Sequence, residues 1–165
     1  MNIRYITDKD DPCEISGIYE QSWKFAYKGI IPQSFLDSIP HGKWARHLEK
    51  PEMHNLVIDE EGRLTGTASF CASRWEQFAG YGELVSIYLL PEYMGKGRGA
   101  ALMAEALKGL SDAGFDRVML WVLEDNHRAR RFYEKQGFIC AEVFLENEIG
   151  GKLLREVAYV HGKFE

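Results

Sequence analysis

Cysteine is scarce in this chain and odd in number: Cys13, Cys71 and Cys140 are three, widely spaced. A disulfide framework and a paired zinc motif are thereby excluded, and reduced, mostly buried thiols are expected. Proline is sparse as well, and no Ser/Gly-rich tract or internal repeat divides the 165 residues. That length buries one core and not two, so a single domain over residues 1–165 is the expectation. Excess positive charge is missing, with 20 Lys and Arg against 25 Asp and Glu and a net charge of −5. No nucleic-acid partner is expected, and a cationic substrate is mildly favoured. Long apolar runs are missing too: the longest, around Leu84 to Leu90, is far too short to span a bilayer. Met1 to Asp8 lacks the cationic and apolar regions of a secretory leader. No membrane partner and a cytoplasmic location are expected. His41, His47, His54, His127 and His161 form no metal-ligand spacing, so no metal is assigned.

What is present is a clear succession of elements. Asn2 to Ile6 is strand-like. Asp11, Pro12 and Glu14 form a helix start: an acidic cap, proline in the first turn and a carboxylate three residues after the cap. Ile15, Ile18, Tyr19, Ser22 and Ala26 follow at helical spacing up to Gly29. Gln33 to Glu49, broken by Pro40 and Gly42, predicts two short helices. His54 to Asp59 and Leu64 to Ser73 flank Glu60-Glu61-Gly62-Arg63 as a hairpin. Glu83 to Leu90 is a strong strand stopped by Pro91. Gly99, Leu102, Met103, Ala106, Leu107 and Leu110 share one helical face before Gly114. Asp116 to Leu123 is strand-like, Asp125 or Asn126 opens a helix closed by Gly137, and Phe138 to Leu145 with Lys152 to His161 form a last hairpin. This order mixes one parallel crossover with hairpins, which is a mixed α/β (α+β) domain and not a doubly wound one.

Gly95, Gly97 and Gly99 sit between a strand and a helix. Helix N-terminal amides lack intrahelical partners there, and glycine lets the backbone approach an anion, with Lys96 and Arg98 adding positive charge. Glycines at such a place also serve plain turn geometry. A P-loop is excluded, because Gly95-Lys96 is followed by Gly97 and the hydroxyl that would hold magnesium is absent. A dinucleotide fingerprint through Gly95, Gly97 and Ala100 wants the first glycine directly after the strand, whereas Pro91 to Met94 intervene.

The stretch from Glu83 through Pro91 to Gly95-Lys96-Gly97-Arg98-Gly99, and later Asn126-His127-Arg128-Ala129 through Phe132-Tyr133 to Gly137-Phe138, resembles the two acetyl-CoA-binding motifs of the GNAT superfamily of N-acyltransferases. The resemblance in element order runs the length of the chain. It implies a mostly antiparallel mixed sheet of about seven strands with a central parallel pair, flanked by about four helices. It implies acetyl-CoA as cosubstrate, its pyrophosphate on the backbone of the Gly95 to Gly99 loop. Met94 departs from the Gln or Arg usual in the family. The same resemblance implies that the strand ending near Leu89 splays from its neighbour and pairs with the pantetheine amides through Ile87 and Leu89. Asn126 and Ala129 join the cofactor-binding set, Asn126 being an ordinary helix cap as well.

Acetyl transfer to an amine needs a neutral nucleophile, a polarised carbonyl and a proton for the departing thiolate. Glu83 matches a site where some members carry a carboxylate base, and it also reads as a plain strand-end carboxylate. Tyr133 matches the family tyrosine that protonates the thiolate, or it packs with Ala129, Phe132 and Gln136 on one helical face. For the acceptor pocket the resemblance draws attention to Trp23, Tyr27 and Trp75, with Phe35 and Phe78 beside them. These aromatics read as a cage for a cationic amine or as core. The function this implies is direct acetyl transfer, in a ternary complex, to a primary amine of a small molecule. Alternatives are a peptide or protein amine acceptor and a non-catalytic acyl-CoA sensor. Homodimerisation is common among proteins of this resemblance.

Overall fold

The computed structural model describes residues 1–162, so the last three residues of the expected domain lie outside the described part. The chain runs β1 (Asn2–Tyr5), α1 (Pro12–Ala26), α2 (Gln33–Asp37), α3 (Ala45–Leu48), β2 (His54–Glu60), β3 (Arg63–Ala72), β4 (Gly82–Leu89), α4 (Arg98–Asp112), β5 (Arg117–Leu123), α5 (His127–Lys135), β6 (Ile139–Ile149) and β7 (Lys152–Gly162). Short 3-10 turns at Glu76–Phe78 and Pro91–Tyr93 flank β4. The seven strands form one sheet in the order β1-β2-β3-β4-β5-β7-β6, antiparallel except for β4 beside β5. Of the five α-helices, α2 and α3 are about one turn each, the two short pieces that Pro40 and Gly42 leave room for. None of the helices described is long and apolar enough to cross a membrane.

Local chemistry explains the boundaries that matter. Asp11 caps α1, its carboxylate accepting the Cys13 amide at 2.8 Å, with Pro12 in the first turn. The β2–β3 turn is two residues, Glu61 and Gly62, both at positive φ, which suits the right-handed twist of a tight hairpin. β6 extends to Ile149, four residues past the expected Leu145.

The sheet is covered on both faces. α4 and α5 cover one, where Leu102, Met103, Ala106 and Leu110 of α4 pack on Phe70, Leu84, Val118 and Leu120. Gly109 permits that approach, since a Cβ there would stand 2.5 Å from the Phe70 ring. α1, α2 and α3 cover the other face. Tyr19 ties α1 down with its hydroxyl 2.9 Å from both Ser69 Oγ on β3 and Ser86 Oγ on β4.

Candidate active site

One strand junction is far shorter than the sheet's other ladders. β4 and β5 pair only at Gly82–Val118 and Glu83–Met119, whereas β5 stays paired with β7 as far as Leu123–Glu156. The cause lies on the other side of β4. Ser69 of β3 stands opposite Ser86 and Phe70 opposite Leu84, so Val85 is an extra residue, a bulge that bends β4 away from β5. The parted strands open a cavity of about 700 Å³ that passes through the sheet.

The wall on the β4 side is backbone. Leu90 N–H bonds the Thr65 carbonyl of the hairpin partner at 2.9 Å, and strand alternation then aims the polar groups of Ile87 and Leu89 away from β3 and into the gap. Buried backbone groups need partners, so this edge suits a ligand carrying amides. The Leu89 carbonyl is already taken by Ser22 Oγ of α1, which leaves the Leu89 amide and both groups of Ile87 facing the gap.

At one end lies the glycine loop. Gly95 and Gly97 have φ of 76° and 77°, and a Cβ built at either meets nothing within 4 Å, which describes an open concavity. Gly97 caps α4 without a side-chain bond, so the first amides of this helix face that concavity with the positive end of its dipole. Gly99 has another purpose: a Cβ there would stand 3.3 Å from the Phe132 ring, so its absence lets α4 and α5 close together. Met94 lines the cavity and packs on the core, and Lys96 is exposed beside the loop. The Arg98 guanidinium turns away, bonding Glu60 (Nη2 to Oε2, 3.1 Å) and lying over the Tyr93 ring. Its charge is spent on Glu60, and only its backbone belongs to the loop. The fit to a diphosphate is therefore one of backbone amides and open space.

On the α4–α5 face, Asn126 caps α5, its Oδ1 accepting the Ala129 amide at 3.2 Å. Tyr133 of α5 lines the cavity, and among the described residues its hydroxyl makes no hydrogen bond. Burial raises its pKa, so it stands as a neutral O–H.

On the opposite face, Glu83 is 2% exposed at the point where the strands part. Arg74 holds it by a two-point ion pair of 2.7 and 3.1 Å, and the Trp75 indole N–H donates to it at 3.1 Å. Trp75 in turn meets Trp121 of β5 edge-on, with ring centroids 5.3 Å apart. Trp23 and Tyr27 line the cavity and also pack in the α1–α2 core. The Trp23 indole N–H donates to the Tyr88 hydroxyl at 3.1 Å. Phe35 and Phe78 are packing residues, against Gly150 and Trp121 respectively. The sequence did not single out Arg74, Trp121, Glu156 or the Val85 bulge. Period-two alternation along β5 places Trp121 with Met119 and Leu123, and was the signal available for it.

A mixed sheet split at its one parallel junction, with an amide edge on one wall and a helix N-terminus behind a glycine loop, defines an acyl-CoA-type transferase cleft. The acetyltransferase (GNAT) family model matches residues 15–138, and the chain belongs to that family. An N-acetyltransferase of Bacillus subtilis named uncharacterized YuaI is 34% identical over 151 residues, covering 90% of this chain and 86% of that protein. A spermidine N(1)-acetyltransferase of Thermoplasma acidophilum is 29% identical over 125 residues, covering 73% and 78%. The PaiA N-acetyltransferase of the same organism, crystallised in complex with coenzyme A, superposes with a TM-score of 0.78 at 22% identity over 99% of this chain and all of that one, and thus shares the fold. The chain is an acetyl-CoA-dependent N-acetyltransferase.

Proposed function

We propose that this enzyme acetylates a primary amine of a small molecule by direct transfer in a ternary complex. The observation that carries this is the cavity through the sheet: Tyr133 lines it from the α4–α5 face, and Glu83, Trp75, Trp23 and Tyr27 line it from the other. Donor and acceptor then meet inside the sheet from opposite faces, with no need for an acyl-enzyme. A spermidine acetyltransferase among the relatives supports a small amine as acceptor.

Acetyl-CoA would supply a thioester activated for attack by nitrogen. The Gly95 to Gly99 amides hold its diphosphate, and the free groups of Ile87 and Leu89, with Asn126 opposite, align its amide arm. Glu83 receives, through water, the proton that the acceptor nitrogen loses. Tyr133 donates its O–H toward the departing sulfur. As the C–N bond forms the C–S bond breaks, and the sulfur takes up one proton. Cys71 takes no part, because burial raises its thiol to about 11 and keeps it protonated. Free cysteines fit a cytoplasmic enzyme.

Free-thiol release from acetyl-CoA across polyamines, aminoglycosides, amino acids and short peptides tests the reading. Selective turnover of a small amine, with intersecting double-reciprocal lines, is expected. Parallel lines would refute direct transfer, and turnover of peptides alone would move the acceptor to protein amines.

A further inference from the structure

The cavity contains a second carboxylate whose charge nothing in the transfer scheme employs. Glu156 of β7 lies opposite Leu123, between Leu154 and Ala158 on the strand, on the sheet face of α1 and α2. It lines the same cavity as Glu83. Glu83 is neutralised by Arg74, but among the described residues no cation lies within salt-bridge distance of Glu156. Its one hydrogen bond there is from Asn147 Nδ2 at 2.7 Å, a neutral donor.

Its surroundings are those of a cation site. Trp23 and Tyr27 line the same cavity, with ring centroids 4.9 Å apart and perpendicular to each other. The Glu156 charge reaches the Tyr27 and Tyr88 hydroxyls, contributing, after burial, to their raised pKa values. Glu156 itself is half-buried. It does not suit the cosubstrate, whose phosphates an unpaired carboxylate repels. Along the sheet, Glu156 lies four residues from Val160, which is level with Met119 and so with Glu83. That is about 13 Å along the strand and, with β5 between β4 and β7, about 10 Å across the sheet, a separation that two long side chains and an aliphatic chain with an ammonium at each end bridge together.

We propose that Glu156 selects the acceptor: its carboxylate, with the faces of Trp23 and Tyr27, holds a second, non-reacting ammonium, so the acceptor class is an aliphatic diamine or polyamine. The reading rests on the amine-acetyltransferase assignment and names its substrate class. A carboxylate and aromatic faces both favour a cation that has left bulk water. A monoamine of the same length leaves the carboxylate unpaired, and an amino acid brings a like charge to it.

The test compares kcat/KM for 1,4-diaminobutane and spermidine with that for n-butylamine and 4-aminobutyrate. Wild type is expected to prefer the diamine over butylamine by about tenfold or more. In Glu156→Gln, which keeps an oxygen for Asn147, that ratio falls about tenfold, through KM. In Glu156→Lys the order of diamine and 4-aminobutyrate reverses. A ratio unchanged by Glu156→Gln, or no diamine preference in wild type, overturns the proposal. A binding readout independent of chemistry is the tryptophan fluorescence of the CoA-saturated protein titrated with 1,4-diaminobutane. An equal Kd in wild type and variant also overturns it. Weaker binding in the variant, with no thiol release from any acceptor, upholds the cation site and sinks the acetyltransferase reading beneath it.

Discussion

The Arg74 guanidinium grips the Glu83 carboxylate at two points, Nη2 to Oε1 at 2.7 Å and Nε to Oε2 at 3.1 Å. The Arg74 amide and the Trp75 indole each add a further bond at 3.1 Å. A nearly buried anion thus meets four donors, all from the loop before β4, and it takes up a proton only as one of these bonds gives way. Glu83→Gln turns an NH2 group against those donors. A stability loss of about 1–3 kcal/mol is expected, together with a fall in kcat of about 100-fold. Thermal melting and steady-state kinetics separate the two effects. A Gln variant less stable but with full kcat would make Glu83 an anchor for the loop and remove it from the proton path.

Gly97 and Gly99 are two residues apart and answer to different constraints, so their alanine variants are expected to fail differently. At Gly97 an alanine meets no neighbour, but φ of 77° strains it by about 1–2 kcal/mol, and its methyl enters the concavity. The KM for acetyl-CoA rises about tenfold with kcat little changed. At Gly99 the added methyl presses on Phe132 at 3.3 Å and shifts the helix that carries Tyr133. There kcat falls more than KM rises. Identical kinetic signatures from the two variants would show that this division of labour is wrong.

Much of this arrangement was legible in the sequence wherever a residue type is dictated by backbone geometry. Asp11-Pro12 marks a cap because the carboxylate accepts a first-turn amide, and Gly62, Gly95 and Gly97 mark a turn and a loop because few other residues tolerate their positive φ. Tyr133 and Glu83 came from the motif resemblance, which located them along the chain but not their partners. What stayed hidden depends on register between distant segments. Val85 is an ordinary strand residue, and only its mismatch with Ser69 and Phe70 reveals a bulge. Glu156 is one of many strand glutamates until β7 is paired with β5, some thirty residues upstream. Arg98 looked like a phosphate ligand until Glu60, 38 residues earlier, was found to hold it.

Alkaline pH should unfold this protein through its buried phenols. Tyr19, 2% exposed, is pushed up to about 12 by burial, and Tyr27, Tyr88 and Tyr133 move in the same direction. A pKa raised on folding means that the native state binds the proton more tightly than the unfolded state. The stabilisation is then complete below about pH 10, where the unfolded phenol titrates, and is lost as pH rises through the folded value. Tyr19 alone accounts for about 3 kcal/mol of this loss. Melting temperatures are expected to hold level up to about pH 10 and to fall steeply toward pH 12. A Tyr19→Phe variant, lacking the bonds to Ser69 and Ser86, starts lower and falls less. A wild-type curve flat to pH 12 would contradict the desolvation of these phenols.

Tyr133 offers the clearest separation of chemistry from structure. Its hydroxyl has no bond within the described residues, so Tyr133→Phe leaves no buried group unsatisfied, and the ring keeps its packing on Phe132 and Phe138. Melting temperature and acetyl-CoA affinity are therefore expected to stay at wild-type values. kcat is expected to fall about 10- to 100-fold, the loss of one donor to the departing sulfur. The size of that loss should depend on the leaving group. A thiol near pKa 8.5 needs the donor, whereas a more acidic thiol leaves without help. Acetyl thioesters of increasingly acidic pantetheine analogues should narrow the gap between variant and wild type. A gap of constant size across that series would mean that Tyr133 holds the substrate and does not assist its departure.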